Sequence, residues 1–83
     1  MRLHPDVSMT DTDDGTVLLH GRTGRYFQLN LTGREVLRGL LDGHAPAQVA
    51  DGLAAAHGIG AERAKDDVKA VLAQLASAEL VLP

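Results

Sequence analysis

Asp11-Thr12-Asp13-Asp14-Gly15 has the look of a calcium loop. Such a loop needs carboxylates at alternate positions, glycine at the sixth and a bidentate glutamate at the twelfth. Here Gly15 falls at the fifth position and Arg22 at the twelfth, so the segment reads as a hairpin turn. Asp tolerates the tight bend and Gly supplies positive φ. The histidines His4, His20, His44 and His57 form no i, i+4 pair on a helix, and none stands beside a second strong ligand at zinc-like spacing. Ser8 falls in a predicted strand and Ser77 near a helix end, so neither occupies a nucleophile elbow. Gly21-Arg22-Thr23-Gly24 has the spacing of the loop that clamps nucleotides in KH domains, but that loop joins two helices and this one joins two strands. With no cysteine there is neither a thiolate ligand nor a disulfide framework. The expectation is a protein without catalytic residues, metal or cofactor. Its 83 residues would also struggle to enclose a water-free pocket.

Charge narrows the class further. A net charge of −3 is the wrong sign for a nucleic-acid binder of this size, since neutralising phosphates supplies most of the affinity. Apolar runs such as Val17-Leu18-Leu19 and Leu80-Val81-Leu82 are far too short to span a bilayer. The start, Met1-Arg2-Leu3-His4-Pro5-Asp6, lacks the apolar stretch of a secretory signal, which makes a cytoplasmic location the expectation.

The elements that must position any binding residues follow from periodicity. Val7 and Met9 alternate with polar neighbours as a half-buried strand does, with Leu3 a possible extension of it. Thr16 to His20 is a second strand and Arg25 to Leu29 a third, joined by short turns as an antiparallel meander with the third strand at an edge. Helical spacing begins after Asn30. Thr32 and Glu35 fit a capping box, Val36, Leu37, Leu40 and Leu41 form one stripe, and Gly43 stands where a C′ glycine belongs. Pro46 opens a second helix, which ends at Gly58. The third helix is expected from about Ala61 to Ala78, with Ala64, Val68, Val71, Leu72 and Leu75 as its buried stripe. The fold class predicted for residues 1–83 is therefore one α+β domain, winged-helix-like, with a three-stranded meander followed by a three-helix bundle.

Winged-helix cores often place their third helix on DNA. Here that helix exposes Arg63, Lys65 and Lys69 against Glu62, Asp66 and Asp67, so it has no positive face. A small DNA-binding regulator is the competing reading, and it predicts a dimer whose DNA binding depends on salt. A dimerisation or scaffold domain is a third, recognised by a concentration-dependent mass with no ligand.

The segment Gly24-Arg25-Tyr26-Phe27-Gln28-Leu29-Asn30 is different. It carries both aromatic residues of the chain, with Phe27 and Leu29 on one face and Tyr26 and Gln28 on the other. Phe27 and Leu29 fit a core role. As an edge, the strand has neither the proline nor the run of lysines that normally blunts one. An unblunted edge beside an amphipathic helix is the geometry of β-augmentation by a peptide, unless the carboxy-terminal tail covers it. Such an edge also permits a weak edge-strand dimer, so a monomer or a weak dimer is expected.

Asp14-Gly15, Leu18-Leu19, Gly24 to Asn30, Thr32-Gly33, Leu40-Leu41-Asp42-Gly43, Asp67-Val68, Leu72, Leu75 and Leu80-Val81 together resemble the PqqD-like proteins, or RiPP recognition elements. The resemblance runs from about Val7 to Val81. It implies a domain that captures the leader region of a ribosomally made precursor peptide, adding it as a strand between the third strand and the third helix. The leader would then pass to a leader peptidase (a cysteine protease in lasso-peptide pathways) or to a peptide-modifying enzyme of the radical-SAM kind. Carried onto this chain, it implies a groove lined by Arg25, Tyr26, Phe27, Gln28 and Leu29 from the strand. From the helix it implies Ala64, Asp67, Val68, Val71 and Leu75. A 3.6-residue period puts Asp67, Gln74 and Ala78 on one flank of the helix stripe and Lys65 and Lys69 on the other, and the family's Asp-Val pair favours the Asp67 flank.

Overall fold

A strand with alternating apolar residues has one face to bury, and a helix with an apolar stripe has one side to bury; here each covers the other. The computed structural model describes residues 1–83. In chain order the elements are β1 (Arg2–Leu3), β2 (Val7–Thr12), β3 (Gly15–His20), β4 (Arg25–Asn30), α1 (Leu31–Leu41), α2 (Pro46–His57), α3 (Ala61–Ser77) and β5 (Val81–Leu82). The α+β order expected from the sequence is present: an antiparallel meander β2-β3-β4, then three helices.

Asp13 and Asp14 make the turn between Thr12 and its partner Gly15. Gly15 also pairs with Asn30, where β4 ends, and its φ is +154°. A Cβ there would lie 1.9 Å from the Leu29 carbonyl oxygen, a backbone atom that cannot swing away. Arg34 donates to the carbonyls of Gly15 (3.1 Å) and Thr12 (3.3 Å), fastening the turn to α1. Gly15→Ala is therefore expected to cost about 3 kcal/mol, through strain at a fixed backbone contact. A urea midpoint unchanged from wild type would contradict this.

The meander's hydrogen-bond parity follows from one bond. The Gly21 amide donates to the Asp6 carbonyl at 2.7 Å, just beyond the Val7–His20 pair. Bonded and non-bonded pairs alternate along an antiparallel ladder, so Gly15, Val17 and Leu19 direct their peptide groups toward β2. Thr16, Leu18 and His20 then direct theirs toward Leu29, Phe27 and Arg25. Of the remaining residues of β4, Tyr26 and Gln28 aim both N–H and C=O away from the sheet, and Asn30 passes into the cap of α1. Nothing pairs with that side of β4.

The start of α1 differs from the sequence reading. Its N-cap is Asn30, not Thr32: the Asn30 side-chain oxygen accepts from the Gly33 amide at 2.8 Å. β4 runs into α1 with no connecting residue, so the last strand residue is already in capping position. Glu35 is released from the expected capping box and meets His57 Nε2 at 2.6 Å, linking α1 to the end of α2. Pro46 opens α2, the Gln48 side chain accepts from the Ala45 amide at 2.9 Å, and Gly58 closes the helix in the left-handed region at φ +63°.

Two apolar clusters share α1. Val36 and Leu40 pack with Val49, Ala50 and Leu53 of α2 and with Ala64 and Val68 of α3. Leu37 packs with Leu18, Leu29, Leu75 and Leu80, joining sheet to helices. Leu3 does not extend the first long strand. The turn at His4 to Asp6 breaks it off, and Leu3 pairs with Val81 as Arg2 pairs with Leu82. The carboxy-terminal tail thus covers the amino terminus and leaves the β4 edge open.

Candidate functional site

Beside the open edge of β4 lies a cleft of about 370 Å³ whose far wall is α3. Gln28, Leu29 and Asn30 form the strand side, and Thr32 and Gly33 of α1 close one end. Arg63, Asp67, Ala70, Val71 and Gln74 form the helix side. Their spacing of four, three, one and three residues keeps them on one face of α3. The apolar surface comes from Leu29, Ala70 and Val71, between the polar side chains of Gln28, Arg63, Asp67 and Gln74. Arg63 and Asp67, one turn apart, make no ion pair within the chain, so both keep their hydrogen-bonding capacity for something else.

Of the residues expected from the sequence, the cleft brings together Gln28, Leu29, Asp67 and Val71. Tyr26 is 72% exposed, on the outer face of the sheet, and only its peptide groups lie along the edge. Phe27 is half-buried against the sheet–helix core, with the Arg25 guanidinium 5.7 Å from its ring centroid. Ala64, Val68 and Leu75 are core residues at 0%, 2% and 0% exposure and have no surface to offer a ligand. The sequence reading placed the groove on the buried stripe of α3, whereas the cleft is rotated one residue from it. Arg63 and Ala70 were missed as lining residues for that reason, and Gln74 was set on the favoured Asp67 flank without being counted as lining. The signal was present, since all three recur with Asp67 at helical spacing. Lys65 and Lys69 lie away from the cleft, on the opposite flank of α3.

The lining offers hydrogen bonds and apolar contact but no nucleophile paired with a base. No group of three or more His, Asp or Glu side chains is placed to hold a metal ion. No helix is long and apolar enough to cross a membrane. An open edge along a cleft, with polar side chains unspent, can hold an extended peptide.

Residues 15–81 match the model of the family described as coenzyme PQQ synthesis protein D. The chain belongs to the PqqD family. Two solved structures share its fold over nearly the whole length of both chains. A lasso peptide synthetase B1 complexed with the leader peptide is 41% identical, with a TM-score of 0.90 over 99% of this chain and 96% of that one. TbiB1 in complex with the TbiA(beta) leader peptide is 31% identical, with a TM-score of 0.85 over 96% and 93%. No curated protein matches the sequence. The chain is a PqqD-like RiPP recognition element, as the sequence motifs implied.

Proposed function

We propose that this PqqD-family domain binds the leader region of a ribosomally made precursor peptide and performs no chemistry on it. The leader adds as a strand to β4 and fills the cleft with α3. The observation that carries the reading is the unpaired edge at Tyr26 and Gln28 running beside that cleft. It is supported by two similar proteins whose structures are leader-peptide complexes. Backbone bonds to the Tyr26 and Gln28 peptide groups supply sequence-independent affinity. Alternate side chains of the leader enter the cleft and supply selectivity. The bound leader is then delivered to a leader peptidase or a modifying enzyme. A lasso-peptide pathway is favoured over radical-SAM modification, because both similar structures hold leader peptides and one is a lasso peptide synthetase component.

Isothermal titration with the leader of a precursor encoded beside this chain tests the reading. Binding tighter than tens of micromolar is expected, and no heat with any co-encoded leader would refute it. Asp67 is assigned to a basic residue of the leader. Asp67→Asn should weaken that leader by roughly fivefold, as loss of a partly exposed charged hydrogen bond does. It should have no effect on a leader whose basic residue is replaced by alanine. Equal losses for both leaders would remove Asp67 from the contact.

A further inference from the structure

On the flank of α3 opposite the cleft, α2 and α3 enclose a second hollow of about 200 Å³. Its floor is apolar, formed by Ala47, Ala50 and Leu72, and its rim carries Lys65 and Lys69. These are the only lysines in a chain of net charge −3, and both stand at this one place. Lys65 is 3.7 Å from Glu62 in an exposed pair one turn away, a contact too weak to hold it from another partner. Lys69 has no ion pair.

We propose that this hollow docks an acidic protein segment with one protruding apolar side chain, carried by the protein that processes the captured peptide. The apolar floor takes the protruding side chain. The two lysines, neighbours at i, i+4, stand about 6 Å apart and match carboxylates one helical turn apart or two strand positions apart. Two cations over an apolar floor suit neither a nucleic acid nor a phosphate group, which would leave the floor uncovered. The hollow and the cleft lie on opposite flanks of one helix, so both can be filled together. A leader handed onward while still held requires that arrangement. The surface stands on its own geometry, whereas the partner's identity rests on the function proposed above.

The test is titration of the full chain with the leader peptidase encoded beside it, run in parallel with titration by the leader. Lys65→Glu/Lys69→Glu should weaken peptidase binding by roughly tenfold or more, and wild-type binding should fall with added salt. Ala47→Asp places a charge on the floor at a helix start that tolerates it, and should weaken the peptidase likewise. Leader affinity should stay within about twofold in both variants, since the sites are separate. Peptidase affinity unchanged in both variants would overturn the proposal, as would leader affinity falling in step with it. Lysine-dependent binding to phosphatidylserine vesicles, with none to the peptidase, would overturn it in favour of a membrane. Failure of the leader alone to bind would refute the proposed function and leave the peptidase result to judge this surface.

Discussion

Gln28→Pro is expected to abolish most leader binding while the domain stays folded. The Gln28 N–H points out of the sheet, so its loss removes no bond to β3. Proline is tolerated at such an edge position because its missing donor faces solvent. In the complex, however, a carbonyl of the added strand would face a ring in place of an N–H. An acceptor left unpaired in a closed cleft costs about 1–3 kcal/mol, or roughly 5- to 150-fold in affinity. The collision of the ring with the incoming strand adds to that. Gln28→Ala keeps the N–H and is the control: it should lose far less. Titration calorimetry reads the affinities and circular dichroism the fold. Wild-type affinity in Gln28→Pro would mean that the leader is held by side chains alone.

The second large effect divides two neighbours on α3. Leu75→Glu is expected to unfold the domain, whereas Val71→Glu should leave it folded and unable to hold its leader. Leu75 is fully buried among Leu18, Leu29, Leu37 and Leu80, and a carboxylate there has no partner. Losing the leucine's packing and burying an unpaired polar group together exceed about 5 kcal/mol. A domain of this length has roughly 4–12 kcal/mol of stability in all. Val71 is half-buried and lines the cleft, so its variant can turn a carboxylate toward solvent. The far-ultraviolet spectrum and thermal midpoint distinguish the two. A folded Leu75→Glu with impaired leader binding would move Leu75 from the core to the groove.

Much of this architecture was legible in the residues because it is local. Alternation located a strand at Val7 and Met9 and others from Thr16 to His20 and Arg25 to Leu29, and helical spacing with Pro46, Gly43 and Gly58 bounded the helices. Helix α3 was expected from about Ala61 to Ala78 and runs from Ala61 to Ser77. The misreadings have physical reasons. Thr32 looks like a cap because Ser and Thr usually are, but β4 passes straight into α1 and Asn30 reaches the free amide first. The pairing of β1 with β5 joins the two ends of the chain, and two-residue strands carry no pattern of their own. The cleft face of α3 was harder to see. Periodicity finds the stripe that is buried, and a binding groove beside a core takes the residues adjacent to that stripe. Asp67 was placed toward the cleft through the family's Asp-Val pair, and Gln74 shared its flank; Arg63 and Ala70 had only their spacing to Asp67.

What the structure adds to the edge-strand reading is parity: Tyr26 and Gln28 offer their peptide groups outward, and Phe27 and Leu29 are already committed to β3. Amide hydrogen exchange on β4, measured by NMR with and without bound leader, tests this most directly. Strand addition predicts that the Tyr26 and Gln28 amides exchange freely in the unbound protein and become strongly protected in the complex. The Phe27 and Leu29 amides should be protected in both. A saturated complex in which the Tyr26 and Gln28 amides still exchange as in the unbound protein would contradict leader capture on this edge.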